Sequence, residues 1–118
     1  MLSYRHAFHA GNHADVLKHL TQVLILKYLI QKDKGLCYVD THAGRGAYSL
    51  TSPKALQNSE FENGIGRLWN QADLPEPLTQ YIELLQTLNP EGRLTRYPGS
   101  PRIAEQLLRP QDLSLIHI

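Results

Sequence analysis

The apolar run Leu36-Cys37-Tyr38-Val39 breaks directly into Asp40-Thr41-His42-Ala43-Gly44-Arg45-Gly46, and this junction constrains the chain more than any other stretch. A strand that ends in an acid and turns through glycines is how many α/β proteins bring backbone N–H groups close to an adenosine-bearing cofactor. Gly44 and Gly46 permit backbone conformations or a close ligand approach that a Cβ would hinder. His42 stands where turns of the form acid-x-Gly-x-Gly-x-Gly carry their first glycine, and it offers a ring to pack on a ligand or a nitrogen to bind it. Ser49 occupies the place of the third glycine in Gly-x-Gly-x-x-Gly, so the nicotinamide-dinucleotide fingerprint is incomplete. A tight strand-to-helix turn without a ligand is the alternative.

At 118 residues and 42% hydrophobic, the chain can bury one modest core but is short for a doubly wound enzyme, and so reads as part of a larger domain. Cys37, the only cysteine, has no partner for a disulfide or a cysteine-based zinc site, and its apolar neighbours predict a small buried residue in a reducing compartment. The stretches Val23 to Leu26 and Tyr28 to Ile30 are too short to span a membrane, and the N-terminus lacks a signal-peptide core. A soluble, cytoplasmic protein is expected. Residues 1–54 carry seven Lys/Arg against three Asp/Glu, whereas residues 55–118 carry five against eight. The halves are thus +4 and −3, which would let the first half face a polyanion.

Periodicity predicts one amphipathic helix over residues 12–32, capped by Asn12 and stopped near Lys34-Gly35. Val16, Leu20, Val23, Leu24 and Tyr28 share one side, and Asp15, Lys18, His19 and Gln22 another. Leu36 to Val39 reads as a buried strand of the parallel type. Residues 47–59 show no period and are expected to wander across the surface. Helices are expected over Glu60 to Trp69 and Glu76 to Leu88, with Pro75 near the start of the second and Leu78, Tyr81, Ile82, Leu85 and Leu88 on one face. A strand over Arg93 to Tyr97, a short helix carrying Ile103, Ala104, Leu107 and Leu108, and a strand over Leu113 to Ile118 complete a parallel α/β arrangement. The two helices between the first and second strands look like an insert.

Five of the six histidines lie in the first 42 residues. His9 and His13 are four apart, but Gly11 and Asn12 take them off a regular helix and no acid completes a ligand set, so no metal site is expected. Tyr4, Arg5, His6, Phe8 and His9 together suit a nucleic-acid contact arm, against the alternative of a frayed terminus. Lys18 and His19 stand one helical turn from Asp15, where a solvated face explains them as well as a ligand site does. Tyr97-Pro98-Gly99-Ser100-Pro101 reads equally as a rigid turn opening a helix or as a device presenting the Ser100 hydroxyl at the C-terminal end of a strand.

Three segments together resemble one family: Tyr4-Arg5-His6-Ala7-Phe8-His9-Ala10-Gly11-Asn12-His13-Ala14-Asp15-Val16-Leu17-Lys18-His19, then Asp40 to Gly46, then Tyr97 to Pro101. They are similar to the bacterial 23S ribosomal RNA adenine-N6-methyltransferases of the RlmJ type, with a likeness running from the first residue to about Leu115. The resemblance implies a Rossmann-like, S-adenosylmethionine-dependent methyltransferase fold, α/β with a parallel sheet and a small helical insert. Residues 1–118 would be the N-terminal portion of that single domain, with the insert over residues 50–92. It further implies that His19, His42 and Ser100 contact the cofactor beside Asp40, Gly44 and Gly46, and that Tyr4, Arg5 and His6 lie on the RNA side, Tyr4 gating or positioning the target adenosine. The implied partner is 23S ribosomal RNA, protein-free or in early assembly, and the complete enzyme would be a monomer.

Two departures qualify the resemblance. The acid that should end the second long strand and hold the ribose hydroxyls falls where His117 and Ile118 stand. No Asp-Pro-Pro-Tyr or Asn-Pro-Pro-Tyr occurs in the chain; in the resembled enzymes it orients the exocyclic amine and stacks on the extruded base. The expectation is an N-terminal part cut before its catalytic motif, inactive alone, with Leu115 to Ile118 foreign to the family. The rival from another class is a non-catalytic RNA-binding module built on the +4 half.

Overall fold

The computed structural model describes residues 5–116. Its longest element, helix α1 (His13–Leu29), starts where Asn12 accepts a hydrogen bond from the Asp15 amide, satisfying one donor of the first turn. The helix stops at Ile30, before Lys34-Gly35. Strand β1 (Cys37–Asp40) pairs in parallel with β4 (Leu113–Ile116), Cys37 opposite Leu113 and Asp40 opposite Ile116. Arg109 holds the entries to both strands together: its guanidinium bonds Asp112 and donates to the carbonyls of Ile30, Lys32 and Lys34. Asp112 in turn accepts from the Leu36 amide at 2.9 Å.

A second sheet corrects the expectation for residues 47–59. Ala47–Ser49 forms strand β2, and it pairs antiparallel with β3 (Arg96–Pro98), so the strand before the Pro-Gly turn does not join β1 in the parallel sheet. Helix α2 (Pro53–Asn58) follows, with Ser52 as its side-chain cap. Tyr48, Leu50 and Ala55 are buried, so this segment belongs to the core rather than to the surface. The expected helix over Glu60 to Trp69 is broken at Gly64 into a 3₁₀ turn, Glu60–Asn63, and a short α3, Ile65–Leu68. Helix α4 (Glu76–Leu88) has the predicted bounds. Helix α5 (Ser100–Leu107) starts directly after the Pro98-Gly99 turn and carries Pro101 in its first turn, a position that needs no N–H partner.

Val23, Leu50, Ile65, Tyr81, Leu85, Tyr97 and Ile103 form the centre of the core, where α1, α4 and α5 meet the β2–β3 pair. Each such side chain contributes about 1.5–3 kcal/mol relative to exposure. The face of α1 turned to this core is rotated from the one the apolar pattern predicts: Val16, Leu20 and Val23 pack on the core as expected, but Leu24 and Tyr28 do not. Asp15, His19, Val23 and Leu26 are buried, whereas Leu24, Tyr28 and Leu17 are exposed, Tyr28 by 70%. Strand β1 is likewise only half covered, and Cys37 is exposed rather than buried. Among the described residues, no helix is long and apolar enough to cross a membrane.

Candidate functional site

The glycine turn after β1, the N-terminal half of α1 and the segment before it, and the starts of α2 and α5 surround one cavity of about 720 Å³. His19 and Lys18 reach it from α1, Arg5 and His6 from the segment before α1, His42, Gly44 and Arg45 from the turn, Lys54 from α2 and Ser100 from α5. The sequence distance between these segments is closed by a few bonds. The Ser100 hydroxyl donates to the Asp40 carboxylate at 2.5 Å and lies 3.4 Å from the Ala43 carbonyl. The Tyr38 hydroxyl donates to the same carboxylate at 3.2 Å, and the His42 amide to its other oxygen at 3.2 Å. Gln22 closes the ring by donating to the Ser100 carbonyl and the Tyr38 hydroxyl, at 3.0 and 2.9 Å. Its own carbonyl oxygen is buried without a partner among the described residues. Burial and the neighbouring Asp40 charge push the Tyr38 phenol up to about 12, so it stays a donor.

The turn itself is held open by glycine. Gly44 has φ of +66°, a left-handed conformation that L side chains avoid, and a Cβ there would press on the Tyr48 hydroxyl. That hydroxyl accepts from the Arg45 amide at 3.2 Å. Gly99 crosses so near that a Cβ would overlap the Arg45 carbonyl oxygen, and its amide donates to the Gly46 carbonyl at 2.8 Å. Gly46 is exposed, and neither it nor Asp40 lines the cavity. Asp40 acts from behind the wall, through Ser100 and the His42 amide. The exposed His42 ring bonds the Thr41 hydroxyl through Nδ1 at 2.8 Å.

Burial divides Asp15, Lys18 and His19: Asp15 and His19 are each 2% exposed and do not belong to a solvated face, whereas the Lys18 side chain is exposed. Asp15 accepts from His6 Nε2 at 2.6 Å and from the Gly11 amide at 3.0 Å, and pairs with Lys18 at 3.4 Å. Burial pushes its carboxyl up, but the His6 bond, the charges of His19 and His6 and the Gly11 amide outweigh this and hold it below 3.8. Residues 6–8 are therefore not frayed: they form a 3₁₀ turn pinned by Asp15, with His6 edge-on to Tyr48 at 5.2 Å. His9 bonds Glu60 at 2.9 Å. Tyr4 lies outside the described residues, as do His117 and Ile118.

Burial lowers the His19 imidazole to about 4, against the opposing pull of Asp15, so the ring is neutral at pH 7. Its Nδ1 bonds the Tyr97 hydroxyl at 2.8 Å, and Tyr97 bonds the Tyr81 hydroxyl at 2.5 Å. The site thus gathers His19, His42, Gly44, Ser100, Arg5 and His6 around one space, with Asp40 behind it. Sequence reasoning did not single out Arg45, Lys54, Tyr48 or the Tyr97–Tyr81 pair. Lys54 sits in the segment expected to be irregular, and a tyrosine pair 16 residues apart in a core carries no spacing signal. The lining holds Arg5, Lys18, Arg45 and Lys54 and no carboxylate, which gives the cavity mouth a positive field.

A strand ending in an acid, a glycine turn and a helix start meet beside one cavity, the place where open α/β sheets bind ligands. Residues 33–117 match the family described as "Ribosomal RNA large subunit methyltransferase D, RlmJ", and the chain belongs to that family. The match runs past Leu115, where the likeness was expected to stop. The chain is similar to two curated proteins called ribosomal RNA large subunit methyltransferase J. It is 53% identical to that of Haemophilus influenzae over 117 residues, covering 98% of this chain and 42% of the relative. It is 56% identical to that of Escherichia coli over 112 residues, covering 95% of this chain and 40% of the relative. It also superimposes on a crystal structure of a Legionella pneumophila protein with a TM-score of 0.83, at 41% identity, over 91% of this chain and 39% of the other. The fold is accordingly α/β, Rossmann-like and of the methyltransferase type, and the chain spans about two fifths of the length of these relatives.

Proposed function

We propose that the cavity holds S-adenosylmethionine and that the complete protein uses it to methylate the N6 amine of an adenosine in 23S ribosomal RNA. The observation that carries this reading is the convergence of His19, His42 and Ser100, from three separate segments, on one cavity beside an acid-ended strand and its glycine turn. Its volume, about 720 Å³, lies within the range of small-molecule sites, roughly 300–1,000 Å³. When bound, the cofactor supplies a methyl group on a positively charged sulfur. The chain's own residues do the placing. His19 is neutral and fixed, Ser100 is held by Asp40, and Gly44 keeps side-chain bulk off the turn. Arg5, Lys18, Arg45 and Lys54 draw in the phosphates of the RNA, with His6 on the same side.

On this reading residues 50–92 are an insert that carries Lys54 to the cavity mouth. The remaining three fifths of the relatives' length carry the groups that bind the adenosine amine, and the complete enzyme acts as a monomer on protein-free 23S ribosomal RNA in the cytoplasm. The cation-lined mouth also favours a second reading, a non-catalytic RNA-binding module. Incubation with methyl-labelled S-adenosylmethionine and protein-free 23S ribosomal RNA separates them. A full-length protein containing this chain should incorporate label and the 118-residue chain alone should not. Incorporation by the chain alone would overturn the division of labour; RNA binding with no label incorporated by the full-length protein would favour the module.

A further inference from the structure

The buried row His19, Tyr97 and Tyr81 fixes more than the ring's position. Two hydrogen bonds run along it, from Nδ1 to the Tyr97 oxygen and from that oxygen to the Tyr81 oxygen. Tyr81 and Tyr97 are each 0% exposed, and the Tyr81 hydroxyl has no other partner among the described residues. Each phenol brings one proton, and burial raises both phenols well above their ordinary range, so neither is lost at neutral pH.

The proton count then has one full solution. If Nδ1 carried a proton, it would donate to Tyr97 and Tyr97 to Tyr81, leaving the Tyr81 proton buried with no acceptor, the unfavourable outcome for a buried donor. If Nδ1 is bare, Tyr81 donates to Tyr97 and Tyr97 donates to Nδ1, and every donor is used. Since His19 is neutral, its proton then sits on Nε2. That nitrogen has no hydrogen-bond partner among the described residues, and the ring lines the cavity.

We propose that Tyr97 and Tyr81 are positioning residues that lock His19 in the Nε2–H tautomer, so that this wall of the cavity offers a hydrogen-bond donor and selects a ligand with an acceptor atom there. The tautomer stands on the protein alone; the identity of the acceptor, as an atom of the S-adenosyl ligand, rests on the function proposed above. The Tyr97→Phe variant strips Nδ1 of its donor, whereas Tyr81→Phe leaves Tyr97 able to donate to Nδ1 and serves as the conservative control.

Long-range ¹H–¹⁵N spectra of histidine-labelled protein at neutral pH read the tautomer directly. Without ligand, His19 should show a protonated Nε2 and a bare Nδ1 in the wild type and in Tyr81→Phe, and a tautomer mixture in Tyr97→Phe. A wild-type ring protonated on Nδ1, or mixed, overturns the proposal, as does a Tyr97→Phe ring still locked. Titration with S-adenosylhomocysteine should move the Nε2 resonance, and Tyr97→Phe should weaken binding by roughly 3- to 10-fold. Binding that leaves Nε2 unmoved overturns the donor role. The predicted tautomer with no binding leaves the lock standing and overturns the cofactor reading instead.

Discussion

The two long sides of α1 depart from the usual order of a surface helix, with polar residues among the apolar ones on the buried side and large apolar residues on the open one. One side carries Asp15 and His19, polar and buried, while the other carries Leu17, Ile25 and Tyr28, apolar and exposed by 68%, 53% and 70%. Buried polar groups persist only where partners satisfy them, and here each has one: Asp15 has His6, Lys18 and the Gly11 amide, and His19 has Tyr97. Strands β1 and β4 are open in the same way: Val39, Leu113 and Leu115 are more than half exposed. The cavity side is organised by directional bonds between distant side chains, and the β1–β4 pair by parallel backbone pairing and the Arg109–Asp112 clamp at its entry. The difference predicts that polar substitutions will harm this chain more than apolar ones of the same helix.

The largest effect is expected at Asp15. Asp15→Ala leaves His6 and the Gly11 amide without their acceptor and should destabilise the chain by about 3 kcal/mol, read as a lowered denaturant midpoint. A loss below 0.5 kcal/mol would erase the distinction between the two sides. The next effect is one of pH. The unfolded imidazole of His19 takes up a proton near pH 6.5 and the folded one only near 4, so between these values the unfolded state binds more protons. Stability from this group is therefore complete above pH 6.5, falls as the pH drops towards 4, and levels off below. The fall amounts to about 3 kcal/mol, and His19→Gln should flatten it in that window. Asp15, held below 3.8, acts only in more acid solution.

A smaller effect is expected at Ser100. Ser100→Ala removes one hydroxyl from Asp40 and from the cavity wall and should weaken S-adenosylhomocysteine binding by about 1 kcal/mol, near fivefold, with little change in the melting midpoint. The smallest is on the outer side, where Tyr28→Ser or Leu17→Gln should shift stability by less than about 0.5 kcal/mol. A larger loss would mean that this face is covered.

Legibility followed the same division. Helix α4 was readable to its ends because its apolar spacing is regular and prolines mark its start. The Asn12 cap and the Pro-Gly turn before α5 were readable because their chemistry is local. The burial of Asp15 and His19 on α1 was not, since what makes them core residues lies elsewhere: Tyr97 is 78 residues from His19. Strand β2, three residues long, is too short for a period to show, and Cys37 looked buried because its neighbours are apolar. Of the residues expected together from the glycine turn and the Pro-Gly turn, His42, Gly44 and Ser100 line one cavity, whereas Asp40 and Gly46 do not; that Asp40 bonds Ser100 needed the fold.

The most direct test is calorimetric titration of the folded chain with S-adenosylhomocysteine at neutral pH, in the wild type and in Ser100→Ala. One-site binding that weakens several-fold in the variant is the predicted result. A chain that melts cooperatively yet binds none of the ligand would contradict the assignment of this cavity to the methyl donor.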